Sequence, residues 1–137
     1  MLKKSKFSLL AIAFAMFVGV FVSCSEPKTA SIYGEWQSPY GDGYSISETT
    51  VVYDDGGYGL GYTGAIEEIT NDYIYYSLET KTRFYAICYK NLTEISCEFS
   101  NAYKAGGKTY CNSLEDAKNE FTVENGYYGY FAEYVRK

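Results

Sequence analysis

The chain of 137 residues contains no histidine, only two prolines and a single tryptophan. Without histidine it lacks the usual general base, the commonest metal ligand and every Ser-His or Cys-His catalytic pair. Positive charge is also scarce, because 12 Lys and Arg stand against 17 Asp and Glu, a formal net charge of −5. So few basic residues cannot form a patch that holds a phosphate backbone. We therefore expect neither an enzyme nor a partner of nucleic acid.

The first 23 residues have the layout of a secretory signal. Lys3, Lys4 and Lys6 precede an uncharged run of sixteen residues over positions 7–22, and small residues follow it. As a helix this run would span about 24 Å, less than the roughly 30 Å hydrocarbon core of a membrane. Residues 1–23 are therefore predicted to be removed. The remainder, without three lysines, carries 9 − 17 = −8 charges.

The end of the apolar run, Phe21-Val22-Ser23-Cys24, resembles the lipobox of bacterial lipoproteins. The resemblance implies that Cys24 becomes a lipidated N-terminus, carrying palmitate or similar chains, and that the protein is anchored in the cell envelope at the outer membrane, facing the periplasm or the surface. Two or three acyl chains would anchor it stably. An ordinary cysteine beside a non-lipid cleavage site is the alternative. Residues 24–31 are predicted to be the lipidated cysteine and a polar tether, and residues 32–137 one domain.

The domain is predicted to be mainly β. The 17 tyrosines and 13 glycines of the chain are typical of half-buried aromatic strands, and short β-prone runs between turn residues predict an antiparallel meander. The predicted strands cover residues 32–37, 44–48, 49–53, 58–70, 73–78, 83–89, 94–100 and 127–136. Ile66 and Ile69 break the alternation of the fourth strand, which predicts a β-bulge there.

One short helix is predicted before the last strand. Ser113 can cap it, Asp116 lies in its first turn, and Leu114, Ala117 and Phe121 fall on one apolar stripe. Asn125-Gly126 would end it.

The opening Gly34-Glu35-Trp36, the Asn71-Asp72-Tyr73 turn, the late helix and Arg136 together resemble a reduced lipocalin-like (calycin) barrel. The resemblance implies that Trp36 packs against Arg136 and that this pair closes one end of the barrel. A guanidinium over an indole contributes about 0.5–2 kcal/mol. Across most of the mature chain, segments such as YDDGG, FYAICYKNL and NGYYGYFAEY also resemble small Tyr-rich lipoproteins of treponeme-type spirochaetes, which supports the envelope location.

The hairpin over residues 83–100 is predicted to carry an apolar face. Pairing about a turn at Asn91-Leu92 sets Cys88 opposite Ile95, Ala86 opposite Cys97 and Phe84 opposite Phe99. If the barrel is hollow, these six residues would form a wall of its cavity. Two functions stay open: a barrel that binds a small apolar or amphipathic ligand, and a filled barrel whose tyrosine-rich surface meets an envelope or host protein.

Three cysteines remain besides Cys24. A disulfide between Cys97 and Cys111 would close a loop of about fifteen residues and contribute roughly 3 kcal/mol. Cys88 shares the predicted apolar face with Cys97 and would compete with Cys111 for a disulfide to Cys97. A third arrangement is three buried thiols without a disulfide. No metal site is predicted, because the cysteines lack CxxC spacing and histidine partners.

Three other motifs are interpreted as structural. Gly59-Leu60-Gly61-Tyr62-Thr63-Gly64 matches GxGxxG, but a strand is predicted where a dinucleotide fold needs a helix. Asp54-Asp55-Gly56-Gly57 lacks the length of a calcium-binding loop and predicts a turn. Glu67 and Glu68 are strand neighbours on opposite faces and cannot act as an acid/base pair. No cofactor is predicted.

Overall fold

A computed structural model describes residues 30–137. The predicted signal segment, Cys24 and most of the tether lie outside the described residues. Eight antiparallel strands, each paired with the next and the last with the first, form a closed barrel. Within the described residues they are β1 (Gly34–Gln37), β2 (Gly43–Ile46), β3 (Thr50–Asp54), β4 (Tyr62–Ile69), β5 (Tyr73–Leu78), β6 (Arg83–Lys90), β7 (Ser96–Asn101) and β8 (Ala132–Arg136), with one helix, α1 (Leu114–Glu120), before β8. The predicted fold class is confirmed.

The barrel has two different ends. One, here called the closed end, holds the start of β1, the end of β8 and the turns after β2, β4 and β6. A hydroxyl closes each of those turns by accepting a backbone N–H three residues on: Ser47 from Thr50 (2.9 Å), Thr70 from Tyr73 (3.0 Å) and Thr93 from Ser96 (2.9 Å). The other end, here called the mouth, holds the remaining turns and the long excursion over residues 102–131, which contains α1.

Side chains fill the centre of the barrel. Phe99 is buried and packs edge-on against Trp36, with ring centroids 5.8 Å apart. It also contacts Tyr44 at 5.0 Å and Tyr134 at 5.3 Å. The strands contribute buried aliphatic residues to the same cluster, among them Ile46, Val51, Ile74 and Ile87. The interior is therefore a packed aromatic and aliphatic core.

The excursion covers the outer face of β5 and β6. Ser113 caps α1 as predicted, its hydroxyl accepting the N–H of Asp116 at 3.1 Å. Ala117 and Phe121 are fully buried in a second apolar cluster outside the sheet. The residues that join them there are Tyr75, Ala86, Cys88, Cys111, Tyr127 and Tyr128. The domain is thus two-layered on this side, which lets it bury apolar residues on both faces of the sheet.

The structure bears on two predictions about the strands, the bulge in β4 and the start of β8. The bulge in β4 is confirmed, because the register with β5 shifts between Ile66 and Glu68. The last strand begins at Ala132, so its predicted start at Tyr127 is wrong. Tyr127 and Tyr128 instead lie in the outer cluster, where the Tyr128 hydroxyl donates to the Phe121 carbonyl at 3.1 Å.

The predicted register of the β6–β7 hairpin is wrong. Cys88 lies opposite Ser100 instead of Ile95, a shift of 100 − 95 = 5 residues. The physical reason is the position of the turn: Thr93 bonds Ser96 through its backbone and its hydroxyl, so the tight turn lies at Glu94-Ile95 and not at Asn91-Leu92. Because the side-chain period of a strand is two, an odd shift moves one set of residues to the other face.

Consequently the six predicted wall residues do not line one surface. Cys97 and Phe99 point into the barrel core. Phe84, Ala86 and Cys88 belong to the outer cluster beneath α1. Ile95 lies in the turn and is 74% exposed.

The cysteines are separate, buried thiols. Cys88, Cys97 and Cys111 are free, so of the three arrangements considered the structure has three buried thiols and not the possible Cys97–Cys111 disulfide. The sheet separates them, since Cys97 faces the barrel interior and Cys111 lies in the outer cluster. Burial raises the pKa of Cys97 to about 12 and that of Cys88 to about 11, and it also raises the pKa of Cys111.

We expect these three thiols to resist alkylation in the folded protein at pH 8, because each is both buried and protonated. Peptide mass spectrometry after brief iodoacetamide treatment should find them unmodified, and fully modified when the protein is first unfolded in guanidinium. Rapid modification of any of the three in the native state would contradict this packing.

Candidate binding site

Six tyrosines, each from a different strand, form a band inside the mouth, here called the tyrosine girdle. Its members, from β8, β2, β3, β4, β5 and β6, are Tyr134, Tyr44, Tyr53, Tyr62, Tyr76 and Tyr85. Successive ring centroids lie 5.3, 5.0, 5.6, 5.1 and 5.4 Å apart. The last two contacts are stacked, with interplanar angles of 6° and 14°. The strand pairing sets this geometry, since Tyr44 lies directly opposite Tyr53, and Tyr53 opposite Tyr62.

A glycine makes room for the girdle where it crosses from β4 to β5. A Cβ atom on Gly64 would lie 2.6 Å from Cδ2 of the Tyr76 ring, closer than real contacts allow. Any side chain at this position would push Tyr76 away from Tyr62. Gly64, the last glycine of the Gly59–Gly64 motif, therefore serves aromatic packing.

Asp42, in the turn between β1 and β2, is a carboxylate that contacts the tyrosine girdle. Its oxygens accept hydrogen bonds from the hydroxyls of Tyr134 at 2.6 Å, Tyr53 at 3.3 Å and Ser38. Burial raises the pKa of Asp42, but the hydrogen bonds from Ser38, Tyr134 and Tyr53 outweigh it, so the pKa lies below its usual value. Burial and Asp42 both raise the pKa of Tyr134. At neutral pH the Asp42 carboxylate is thus ionised and lies among neutral phenols.

A cavity of about 560 Å³ opens between the barrel mouth and the excursion. Its floor consists of buried aromatic residues, Tyr44, Phe99 and Tyr134. Tyr40, Tyr103 and Tyr130 line it as well and are 86%, 75% and 75% exposed. Its polar lining comes from Ser38, Asp42, Ser100 and Asn101. The combination of an apolar floor with a few polar groups is typical of small-molecule sites.

Arg136 closes the opposite end of the barrel. The structure brings it onto Trp36, with the guanidinium carbon 4.1 Å from the ring centroid. The guanidinium also donates to the carbonyls of Tyr33 at 2.7 Å, Ser31 at 2.6 Å and Glu94 at 2.8 Å. Gly34 is required here, because its φ is +132° and a Cβ would lie 2.6 Å from Nη1 of Arg136.

The glycine motif and the acidic turn before β4 both serve the fold of the backbone. The Gly59–Gly64 segment leads into strand β4 and not into a helix. Asp55 accepts backbone N–H groups of Leu60, Gly57 and Tyr58, and these bonds hold its pKa below the usual value.

Glu67 and Glu68 bind different partners. Glu67 accepts the hydroxyl of Ser77 at 2.7 Å, whereas Glu68 pairs with Lys118 of α1 at 2.6 Å. The second pair joins the excursion to the barrel.

The girdle and Asp42 are the features that sequence reasoning missed. Their signal is a recurrence: Tyr44, Tyr53 and Tyr62 are nine residues apart, as are Tyr76 and Tyr85. In a meander of short strands and turns, that spacing returns a residue to the same height and face on the next strand. The sequence contains this information, but only once the registers are known.

Within residues 30–137 no helix has the length and apolar character needed to cross a membrane. In the same range, no three His, Cys, Asp or Glu residues group closely enough to hold a metal ion. Comparison with protein-family models, with curated proteins and with solved structures finds no match to this chain.

Proposed function

We propose that the protein is a lipid-anchored protein of the bacterial cell envelope that binds a small amphipathic ligand at the mouth of its barrel. The observation that carries the binding role is the cavity of about 560 Å³, which joins a buried aromatic floor to a polar rim. Its volume lies within the range of roughly 300–1,000 Å³ that is usual for small-molecule sites. The protein acts by binding and carries out no reaction.

The ligand would lie above the core and not inside it. Phe99 and Trp36 occupy the barrel centre, and a ligand there would have to displace a close-packed aromatic contact. At the mouth, by contrast, Tyr40, Tyr103 and Tyr130 already expose their rings to solvent. Covering those rings with an apolar group would remove them from water without disturbing the core.

The topology suggests how an anchor would orient the site. The chain enters the barrel at the closed end, where Arg136 binds the carbonyls of Ser31 and Tyr33. Seven steps of chain from Cys24 to Ser31 reach at most about 25 Å. A lipid on Cys24 would therefore keep the closed end near the membrane and leave the mouth facing the aqueous space.

Lipidation at Cys24 is the first test. When the full chain is expressed in a bacterium supplied with labelled palmitate, we expect label on the wild type, none on Cys24→Ala, and label retained on the matched control Ser25→Ala. The wild type should fractionate with membranes. Equal label on Cys24→Ala, or a wholly soluble wild type, would remove the anchor from the proposal.

Binding at the mouth is tested by filling the cavity. Gly129 lines it, and a Cβ there would meet no atom within 4 Å, so Gly129→Trp can occupy the space without disturbing the fold. Saturation-transfer NMR with hexanol, hexanoate and hexyltrimethylammonium, which share one tail, should detect saturable binding of at least one. The signal should disappear in Gly129→Trp and persist in Asn119→Trp, an exposed helix position outside the cavity. Unchanged binding in Gly129→Trp would place the site elsewhere.

A second candidate function, a surface that meets another envelope protein or a host protein, rests on a different observation. Five of the exposed apolar side chains lie in the turns and loops of the mouth end: Tyr40, Tyr58, Leu60, Tyr103 and Tyr130. Gly129→Trp separates the two functions, because it fills the cavity but leaves these side chains in place. Protein binding would survive this substitution, whereas small-ligand binding would not.

A further inference from the structure

The lining of the mouth cavity combines many aromatic rings with one negative charge. Five tyrosines and Asp42 carry the inference: Tyr44 and Tyr134 on the buried side, and Tyr40, Tyr103 and Tyr130 on the exposed side. Tyrosine rings present a negative face, which attracts cations, and the attraction increases as the cation loses water. Rings of this kind around a carboxylate favour a positive group over a neutral one.

The charges around the cavity also favour a positively charged ligand. Among the described residues that line it, none is Lys or Arg, and Asp42 is the one acidic residue. Three hydroxyls hold the Asp42 carboxylate in place, from Ser38, Tyr53 and Tyr134. An anionic ligand would approach this fixed charge with no cation in the lining itself to compensate, while the chain from residue 24 onward carries −8 charges in all.

We infer that the mouth cavity binds an organic cation, specifically a methylated ammonium group, held between tyrosine rings and the Asp42 carboxylate. The inference rests on the proposed function, because it names the chemical class of the ligand for the same cavity. A weakly hydrated ammonium suits this lining better than a metal ion does. Calcium takes six to eight oxygen ligands, and magnesium requires a close octahedral shell, whereas this cavity offers one carboxylate.

Lys104 makes a cation–π contact of this kind beside the cavity. The ammonium of Lys104 lies over the ring of Tyr127, 5.3 Å from its centroid, and Tyr127 is one of the lining residues. Lys104 follows Tyr103 directly and precedes Ala105, both of which line the cavity. Lys104 therefore places a positive charge next to the proposed site, where it would repel a bound cation. Because Lys104→Gln removes this repulsion, it should strengthen binding of the cation about two-fold to three-fold.

The test compares a cation with its neutral isostere in the full-length protein. Choline carries a trimethylammonium group, and 3,3-dimethyl-1-butanol replaces its charged nitrogen by carbon at nearly the same shape. We expect choline to bind at least ten-fold more tightly in an NMR titration. Asp42→Asn keeps the side-chain volume and should reduce that preference to below three-fold. A thermal unfolding curve of Asp42→Asn shows whether it is folded.

A second variant does not depend on the Asp42 hydrogen bonds. Tyr130 is 75% exposed, so Tyr130→Leu removes a ring without loss of core packing and should weaken choline binding about three-fold to ten-fold. Tyr58→Leu is the matched control, since Tyr58 is 85% exposed and lies outside the cavity lining. Choline binding should be unchanged in that variant.

The outcomes separate the inference from the proposed function. Equal binding of choline and its neutral isostere overturns the inference, and the mouth remains a site for amphipathic ligands. Absence of choline binding also overturns it, and the hexyl series with Gly129→Trp then decides independently whether the cavity binds any ligand. Preference for choline that Tyr130→Leu reduces and Tyr58→Leu preserves supports the inference.

Discussion

Phe99→Ala is expected to lower the free energy of unfolding by about 3–5 kcal/mol, the range for removing a fully buried phenylalanine. Phe99 is buried at the centre of the barrel and contacts Trp36, Tyr44 and Tyr134. Its removal leaves a cavity that three strands would have to move to fill. Urea denaturation followed by circular dichroism measures the change.

Tyr58→Ala is the control for this loss, because it removes an exposed aromatic ring and should change stability by no more than about 0.5 kcal/mol. A loss below about 1 kcal/mol for Phe99→Ala would mean that the barrel interior is loosely packed. In that case a ligand inside the barrel would again become the better explanation of its aromatic lining.

Arg136→Ala is expected to cost about 2–3 kcal/mol and to shift the fluorescence of Trp36. The guanidinium donates to three backbone carbonyls and lies over the indole, and hydrogen bonds from charged groups contribute more than neutral ones. Since the chain has one tryptophan, its emission reports this end of the barrel alone. Thermal unfolding and emission spectra of the same samples give both values.

Two further variants refine the Arg136 result. Arg136→Lys should recover only part of the stability, because a lysine cannot reproduce the planar fork of donors. Lys137→Ala removes a neighbouring exposed positive charge and should have no effect. Unchanged stability and unchanged Trp36 emission in Arg136→Ala would contradict the role of Arg136 in closing the barrel.

Local chemistry explains which elements could be predicted from the sequence. The Ser113 cap, the Ala117 and Phe121 stripe and the β4 bulge depend on residues within a few positions of one another. The resemblance that paired Trp36 with Arg136 names two residues that adjoin in the structure. The local features need no knowledge of the long-range register, whereas the Trp36–Arg136 pair is long-range and came from the resemblance alone.

The predictions that were wrong concern features that depend on where a turn lies and on tertiary partners. The tight turn between Thr93 and Ser96 lies farther along the chain than predicted, and the resulting odd shift moves the predicted cavity wall to two faces of the sheet. Tyr127 and Tyr128 have strand propensity but find better partners beneath α1. The mouth cavity likewise exists only because the excursion returns over the barrel, which brings Tyr103 and Tyr130 close to Tyr44.

The position of the ligand can be measured directly by NMR of the protein with ¹³C-labelled tyrosine, phenylalanine and tryptophan rings, titrated with hexyltrimethylammonium. Saturable shifts are expected at the rings of Tyr40, Tyr103, Tyr130 and Tyr134, which line the mouth, and none at Trp36, which lies at the closed end of the packed core. Shifts concentrated at Trp36, or rings that do not respond in a saturable manner, would contradict a binding site at the barrel mouth.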